Sequence, residues 1–270
     1  MRVDATSLPA DLAPVRLAAL LATKRFGRSY EPHAVCGSTN DLTSARAREG
    51  APEGLVVLAD RQESGRGRQG RAWLSSGGEN LMFSLLLRPQ MPAVELPPIT
   101  LIAGVALADA LTEAGVKPRL KWPNDVLCDT DAGPRKLVGV LTEMATAGAE
   151  AKHVVVGIGV NVNQRNFADP IATIASSVAI VTGAPGDRAR LLATILGHFE
   201  TLYDAALAGD TRAVLARFRE YAAFPRACEV IRPQGRLTGV AIDVDETGAL
   251  LVRNSSGKIE RVLSGEVASL

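Results

Sequence analysis

The sequence predicts an α+β fold, a sheet flanked by helices and followed by a small β-barrel-like unit. Three observations carry this expectation. β-branched and apolar runs of strand length recur at 54–60, 81–89, 136–144 and 153–162. Apolar residues at helical spacing fill 96–114, 191–208 and 211–223. After Pro225 the texture changes, and "CEVIRPQGRLTGVAIDVDETGALLVRNSSGKIERVL" alternates short strands with Gly, Asn and Ser turns.

Taken in order, 12–26 reads as one helix with Gly27 as its stop. "STND" at 38–41 offers capping side chains to a short helix ending near Gly50. "GLVVLAD" (54–60) reads as a buried strand, and "LMFSLLLRP" (81–89) as another closed by Pro89. The alanine- and leucine-rich helix at 96–114 begins around Pro97 and Pro98. "RLKWPNDVL" (119–127) reads strand, turn, strand, because Pro123-Asn124-Asp125 is turn chemistry. "KLVGVLTEM" (136–144) and "HVVVGIGVNV" (153–162) are expected as adjacent central strands, with Gly148 in the turn between them. Gly209-Asp210 splits the last two helices. The β-rich tail of about 45 residues is too small to be stable alone and is expected to pack on the main domain. The units expected are thus 1–32, a helical extension; 33–223, the main domain; and 224–270, the tail.

Composition narrows the function classes. Thirty Lys+Arg oppose 29 Asp+Glu, so no global field draws in nucleic acid or a membrane surface. Cys36, Cys128 and Cys228 are scattered, which argues against a disulfide framework or a zinc site. His33, His153 and His198 stand apart and read as structural. The first residues lack a signal-peptide pattern, and no apolar run reaches about 18 residues, so a cytoplasmic protein without a membrane span is expected.

The densest chemistry is "GRGRQGR" at 65–71. Its glycines have dinucleotide-fingerprint spacing, but the following segment leads into a strand rather than a helix, which disfavours that reading. The glycines let backbone N–H groups approach an anion, and Arg66, Arg68 and Arg71 add forked donors. A solvated basic turn is the plain alternative. "KWPNDVL" gathers a lysine, an indole, an amide and a carboxylate. Lys136 enters an apolar strand, where it is costly to desolvate without a ligand or counter-charge. Asn161 lies on a strand marked by glycines, where something approaches closely. Singly, each of these also fits a purely structural role.

Together, "GSTND", "ADRQESGRGRQGRAW", "KWPNDVL", "RKLVGVLTEM" and "VVVGIGVNVN" resemble the biotin protein ligases, over roughly residues 33 to 270. The resemblance implies a mixed sheet akin to class II aminoacyl-tRNA synthetase catalytic domains, with an SH3-like C-terminal domain. It also implies a two-step reaction. Biotin and MgATP give biotinyl-5′-AMP and pyrophosphate, and a lysine of a biotin carboxyl carrier protein then takes the biotin and releases AMP. Carried over by position, Ser38, Thr39, Asn40 and Gln62 belong to the biotin site. Arg66, Gly67 and Arg68 close over biotinyl-AMP, with Arg66 near the phosphate and Arg71 on the nucleotide side. Trp73 packs near the adenine. Lys136 meets the reacting carboxylate and phosphate. Lys121, Asn124 and Asp125 serve ATP, metal and the acceptor step. Gly139 and Asn161 line the pocket and the nucleotide site.

The metal ligands stay unassigned. Gln69 stands at a loop position that is often basic, and 129–136 is a modest insertion. The first 32 residues replace a DNA-binding module, so DNA binding is not expected. Monomer and homodimer both stay open. A lipoate ligase or octanoyl transferase on the same scaffold is the near rival, and a nucleic-acid-binding protein the distant one.

Overall fold

A computed structural model describes residues 7–74, 76–96 and 98–269. Residues 1–6 and 270 of the expected outer units, and Pro97 before the long helix, lie outside it. A 3-10 turn at Ala10–Leu12 leads into α1 (Pro14–Leu20). This helix is shorter than the expected 12–26. Leu21 is extended, and the backbone N–H groups of Lys24, Arg25 and Phe26 donate to the Glu200 carboxylate at 2.7, 2.8 and 3.2 Å. A distant carboxylate outbids the local helix for these donors.

β1 (Tyr30–Cys36) is half-buried throughout and contains Pro32, so it carries little strand signal. It sits at the sheet edge, where proline is tolerated. α2 (Thr39–Arg48), β2 (Val56–Gln62), β3 (Leu81–Leu87) and α3 (Ile99–Glu113) follow. β4 (Pro118–Lys121) and β5 (Asp125–Thr130) flank the 122–124 turn, and β6 (Gly133–Ala147) and β7 (Glu150–Val160) are adjacent as expected. α4 (Val178–Thr182) is a single capped turn, with Ser177 accepting from the Ile180 N–H. α5 (Arg188–Leu207) and α6 (Arg212–Ala222) are the two expected helices.

The first seven strands form one sheet in the order β1-β2-β3-β7-β6-β5-β4, with β1–β2 parallel and the remaining pairs antiparallel. Both faces are covered, which is why β2 and β3 read as continuous apolar runs rather than alternating ones. Val56, Leu58, Leu85 and Leu87 face the main core, with α3, α5 and α6 on that side. Val57 and Leu86 face the other way, into a small cluster with Ala47 of α2. By length and a mean hydropathy of 1.6 alone, the stretch Ala93–Glu113 is apolar enough to cross a membrane. Its helix α3 is 15 residues long, almost wholly buried and enclosed by α5, α6 and the sheet, which makes it a core helix.

β8 (Arg226–Arg232), β9 (Gly235–Val244), β10 (Leu250–Asn254), β11 (Ile259–Val262) and β12 (Glu266–Ser269) form a second sheet, β11-β10-β9-β8-β12. Val230, Leu237, Leu250 and Val252 merge with the main core, so the tail docks as its size requires. Trp122 Nε1 donates to the Gly248 carbonyl at 2.9 Å, and Arg219 donates to the Val244 carbonyl at 3.1 Å. The turn that carries site residues is thereby braced against the C-terminal sheet.

Candidate active site

The site is built on bare backbone. Gly139 and Gly159 are register partners on β6 and β7, and Gly157 pairs with Leu141 two residues on. A Cβ at Gly159 would lie 2.3 Å from Trp73 Cε2, one at Gly139 2.8 Å from Trp73 Cζ3, and one at Gly157 2.2 Å from Asn40 Oδ1. These glycines therefore admit close approach, the use that an isolated strand glycine suggests. The Trp73 indole lies on this floor, and its Nε1 is buried with no hydrogen-bond partner among the described residues.

One end of the floor is polar. Ser38, Thr39 and Asn40, at the start of α2, are buried. Gln62 Oε1 accepts from the Thr39 backbone N–H at 2.7 Å and from its hydroxyl at 3.1 Å. Ser84 of β3 donates to Asn40 Oδ1 at 2.6 Å and lies 2.8 Å from Thr39 Oγ1. Asn40 Nδ2 donates to Glu143 at 2.6 Å. Fixed donors and acceptors of this kind suit a small polar ring held edge-on.

Residues 65–73 fold over the floor as a small hairpin. Gly67 N–H donates to the Arg71 carbonyl at 2.7 Å and Trp73 N–H to the Gly65 carbonyl at 2.9 Å. Gln69, at the tip, has φ 57° and Gly70 φ 74°. The arginines diverge. Arg66 turns outward to Asp41 (2.7 Å) and Glu143 (3.2 Å). Arg68 turns inward and donates to Asn124 Oδ1 at 3.1 Å. Arg71 pairs with Glu266 of β12.

Two cavities meet beneath this hairpin. The first holds the Ser38–Asn40 end and the glycine floor. The second runs toward the C-terminal sheet and includes Leu74, Trp122 and Ile174. Gly67, Arg68, Trp73, Asn124 and Lys136 border both. Lys136 Nζ is 2.6 Å from Asp125 Oδ1, yet that oxygen has no aligned hydrogen bond, and the ammonium sits 5.7 Å from the Trp73 ring centre. The Lys136 backbone is bridged to Ile174 and Ser176, while β6 first pairs β7 at Val138. The strands thus part at Lys136, and the second cavity opens there.

Four cations (Arg68, Arg71, Lys121, Lys136) face two carboxylates (Asp125, Glu266) in the second cavity. Burial pulls the Lys121 ammonium and the Arg68 guanidinium below their ordinary values, despite the opposing pull of Asp125 and Glu266. An anionic guest would relieve that cost. Among the described residues no group of three or more His, Cys, Asp or Glu gathers to hold a metal ion.

A family model described as "Biotin/lipoate A/B protein ligase family" matches residues 33–161, and one described as "Biotin protein ligase C terminal domain" matches 226–268. The Mycobacterium tuberculosis biotin–[acetyl-CoA-carboxylase] ligase is 34% identical over 257 residues, 90% of each chain. The chain belongs to the biotin protein ligase family. The Bacillus subtilis bifunctional ligase/repressor BirA is 34% identical over 251 residues, 92% of this chain and 76% of that one. Among solved structures, the Aquifex aeolicus biotin protein ligase in complex with biotin and ATP superposes with a TM-score of 0.76 at 28% identity, covering 89% of this chain and 98% of that one.

In this family member every site residue named from sequence borders one or both cavities. The first takes Ser38, Thr39, Asn40, Gln62, Arg66 and Gly139, and the second takes Arg71, Lys121, Asp125 and Asn161, beside the five shared residues. Asn161 is committed, its Nδ2 donating to the Ser176 carbonyl at 3.0 Å, so it also holds the segment that widens the second cavity. Sequence reasoning missed Ser84, Glu143 and Glu266, and marked the glycines of 157–161 only as a place of close approach. Ser84 had a signal, a lone hydroxyl in "LMFSLLL". Glu266 had none, since only the docking of the tail brings it to the site.

Proposed function

We propose that the protein activates biotin with ATP to biotinyl-5′-AMP and transfers the biotin to a lysine of a biotin carboxyl carrier protein. The observation that carries this is the junction. A polar cavity beside the start of α2 and a cationic cavity beside the C-terminal sheet share one wall, and Lys136 and Arg68 stand in it. The Ser38–Asn40 end with Gln62 receives the ureido ring, whose donors and acceptors match the amide and hydroxyl groups there. The chain of biotin runs over the glycine floor, with its carboxylate toward Lys136.

Biotin's carboxylate and the α-phosphate of ATP repel each other, so the junction must supply positive charge. Lys136 and Arg68 do so, and Arg66 joins them only by leaving Asp41 and Glu143. A carboxylate oxygen attacks the α-phosphorus, the bond to the β-phosphate oxygen breaks, and pyrophosphate leaves. Holding both reactants in line supplies roughly 7–11 kcal/mol of the barrier reduction. The hairpin shields the mixed anhydride from water. In the second step the neutral ε-amine of the acceptor attacks the acyl carbon and AMP departs, with Asp125 orienting the amine or taking its proton. Mg²⁺, when bound, supplies charge neutralisation on the triphosphate. Asp125 and Glu266, the two carboxylates lining the second cavity, are the residues that would hold it.

In this reading the seven-stranded sheet is of the class II aminoacyl-tRNA synthetase kind, the tail is SH3-like, and the protein works in the cytoplasm beside its carrier. The units are 1–32, 33–223 and 224–270. A lipoyl or octanoyl substrate leaves the donors of the polar end without partners. Biotin-dependent exchange of labelled pyrophosphate into ATP, followed by biotinylation of an apo carrier domain, tests the proposal. Absence of exchange, or exchange driven equally by lipoate, rejects it.

A further inference from the structure

The hairpin is only as well placed as its two feet, and both feet end on one buried guanidinium. Arg188, the first residue of α5, is 2% exposed. Its Nη1 donates to Asp60 Oδ1 at 2.7 Å and to the Asn80 carbonyl at 3.2 Å. Asp60 lies on β2, two residues before Gln62, and Asn80 immediately precedes β3. The other oxygen of Asp60 accepts the Gly78 N–H at 2.7 Å. Asn80 reaches on to the end of β7, where its Oδ1 accepts the Val162 N–H at 3.0 Å and its Nδ2 donates to Gln164 at 2.6 Å. The strand leaving for the hairpin, the strand returning from it and the segment after Asn161 thus share one knot.

The remaining donors of Arg188 are taken from outside the catalytic sheet. Nε and Nη2 form a fork onto the two Asp11 oxygens, each at 2.8 Å. Asp11 sits in the first 3-10 turn, in a segment that precedes the matched family region. Without Asp11 a buried cation keeps one carboxylate, and that carboxylate also serves Gly78. The guanidinium must then draw in water or pull Asp60 from its second task, and either loosens a foot of the hairpin.

We infer that Asp11, acting through Arg188, is a positioning residue for the arginine hairpin, so that the N-terminal segment sets how well the site closes. This rests on the ligase reading only for what the closure does. Arg16, on the same segment, is the internal control: it pairs with Asp187 at 2.6 Å, and among the described residues no hydrogen bond or ion pair joins it to Arg188, Asp60 or Asn80.

The hairpin carries its own reporter, since trypsin cuts after Arg66, Arg68 and Arg71. Cleavage of a transiently opened segment tracks the open population when reclosing is fast. In the full chain, Asp11→Asn is expected to speed hairpin cleavage of the empty enzyme about tenfold, the scale of losing one charge-assisted pair. It is also expected to raise the KM for biotin more than it lowers kcat. Asp11→Glu restores both to within about twofold, and Arg16→Ala leaves cleavage at the wild-type rate. Wild-type cleavage in Asp11→Asn, equal acceleration in Arg16→Ala, or global unfolding of Asp11→Asn overturns the inference, because Asp11 then serves the fold as a whole or nothing at all. Protection of the wild-type hairpin by biotin with ATP is a separate arm. Its absence counts against the ligase reading and leaves the comparison of empty enzymes standing.

Discussion

Replacing Lys136 by methionine keeps the length of the side chain and removes its charge. The ammonium borders both cavities, 2.6 Å from Asp125 and close to Trp73, so in the proposed mechanism its partner is charge developing at the junction. A unit charge about 4 Å from a reacting oxygen, at an effective dielectric of about 20, interacts by about 4 kcal/mol. At about 1.4 kcal/mol per decade, full loss slows adenylate formation by about 10³. The cost to the fold is far smaller. The Lys136 side chain is 32% exposed and Asp125 19%, so the lost pair is worth about 1 kcal/mol or less after solvent screening. For a chain of this size that moves the melting midpoint by no more than about 4 °C. Biotin-dependent pyrophosphate exchange should therefore collapse while the thermal unfolding curve barely moves. Lys136→Arg keeps the charge but must fit a bulkier fork beside Trp73, and is expected to fall between the two. Exchange within about fivefold of wild type in Lys136→Met would remove Lys136 from the mechanism.

The other predictions concern the floor, the nucleotide and the tail. Gly157→Ala places a methyl 2.2 Å from Asn40 Oδ1, and is expected to weaken biotin binding by about five- to 150-fold by calorimetry through the overpacking cost of about 1–3 kcal/mol. Unchanged affinity would move the ring-binding end elsewhere. Arg68→Ala is expected to raise the KM for ATP more than that for biotin in steady-state exchange, because its guanidinium, unlike that of Arg66, turns into the nucleotide cavity. A larger effect from Arg66→Ala would reverse the assignment. In the tail, burial alone would raise the Asp245 carboxyl, but hydrogen bonds from Arg261, Thr247 and the Ala249 N–H outweigh it and hold it at about 2, below the ordinary 3.8. Its stabilisation is fully present above pH 3.8 and is lost as the pH falls toward 2. The melting points of wild type and Asp245→Asn should differ at pH 6 and converge over that acid range, and a constant difference would contradict the linkage.

Much of this site was legible because its chemistry is concentrated in turns. Arg68 lies in a glycine loop and Asn124 and Asp125 in a Pro-Asn-Asp turn, where charged groups have no core to fill and stand out from their neighbours. Strand residues were harder. Whether Ser84 or Glu143 faces the site depends on register, and register is set by pairing with β7, which no local pattern encodes. The helix expected over 12–26 ends at Leu20, and Glu200 takes the backbone donors of Lys24, Arg25 and Phe26 that the longer helix would have used, a contact spanning about 175 residues of chain. β1 escaped notice because a parallel edge strand containing proline has neither alternation nor a continuous apolar run. The outward turn of Arg66 followed from two carboxylates, Asp41 and Glu143, that come together only in the folded chain.

The floor of main-chain atoms has a consequence for how specificity can drift. A pocket lined by side chains is resized in small steps, one methylene at a time. Here the smallest step available at Gly139, Gly157 or Gly159 is already a collision. Variants that accept a reshaped biotin analogue should therefore accumulate their changes in the hairpin roof and at the polar end, while these three positions resist randomisation in any library selected for labelling.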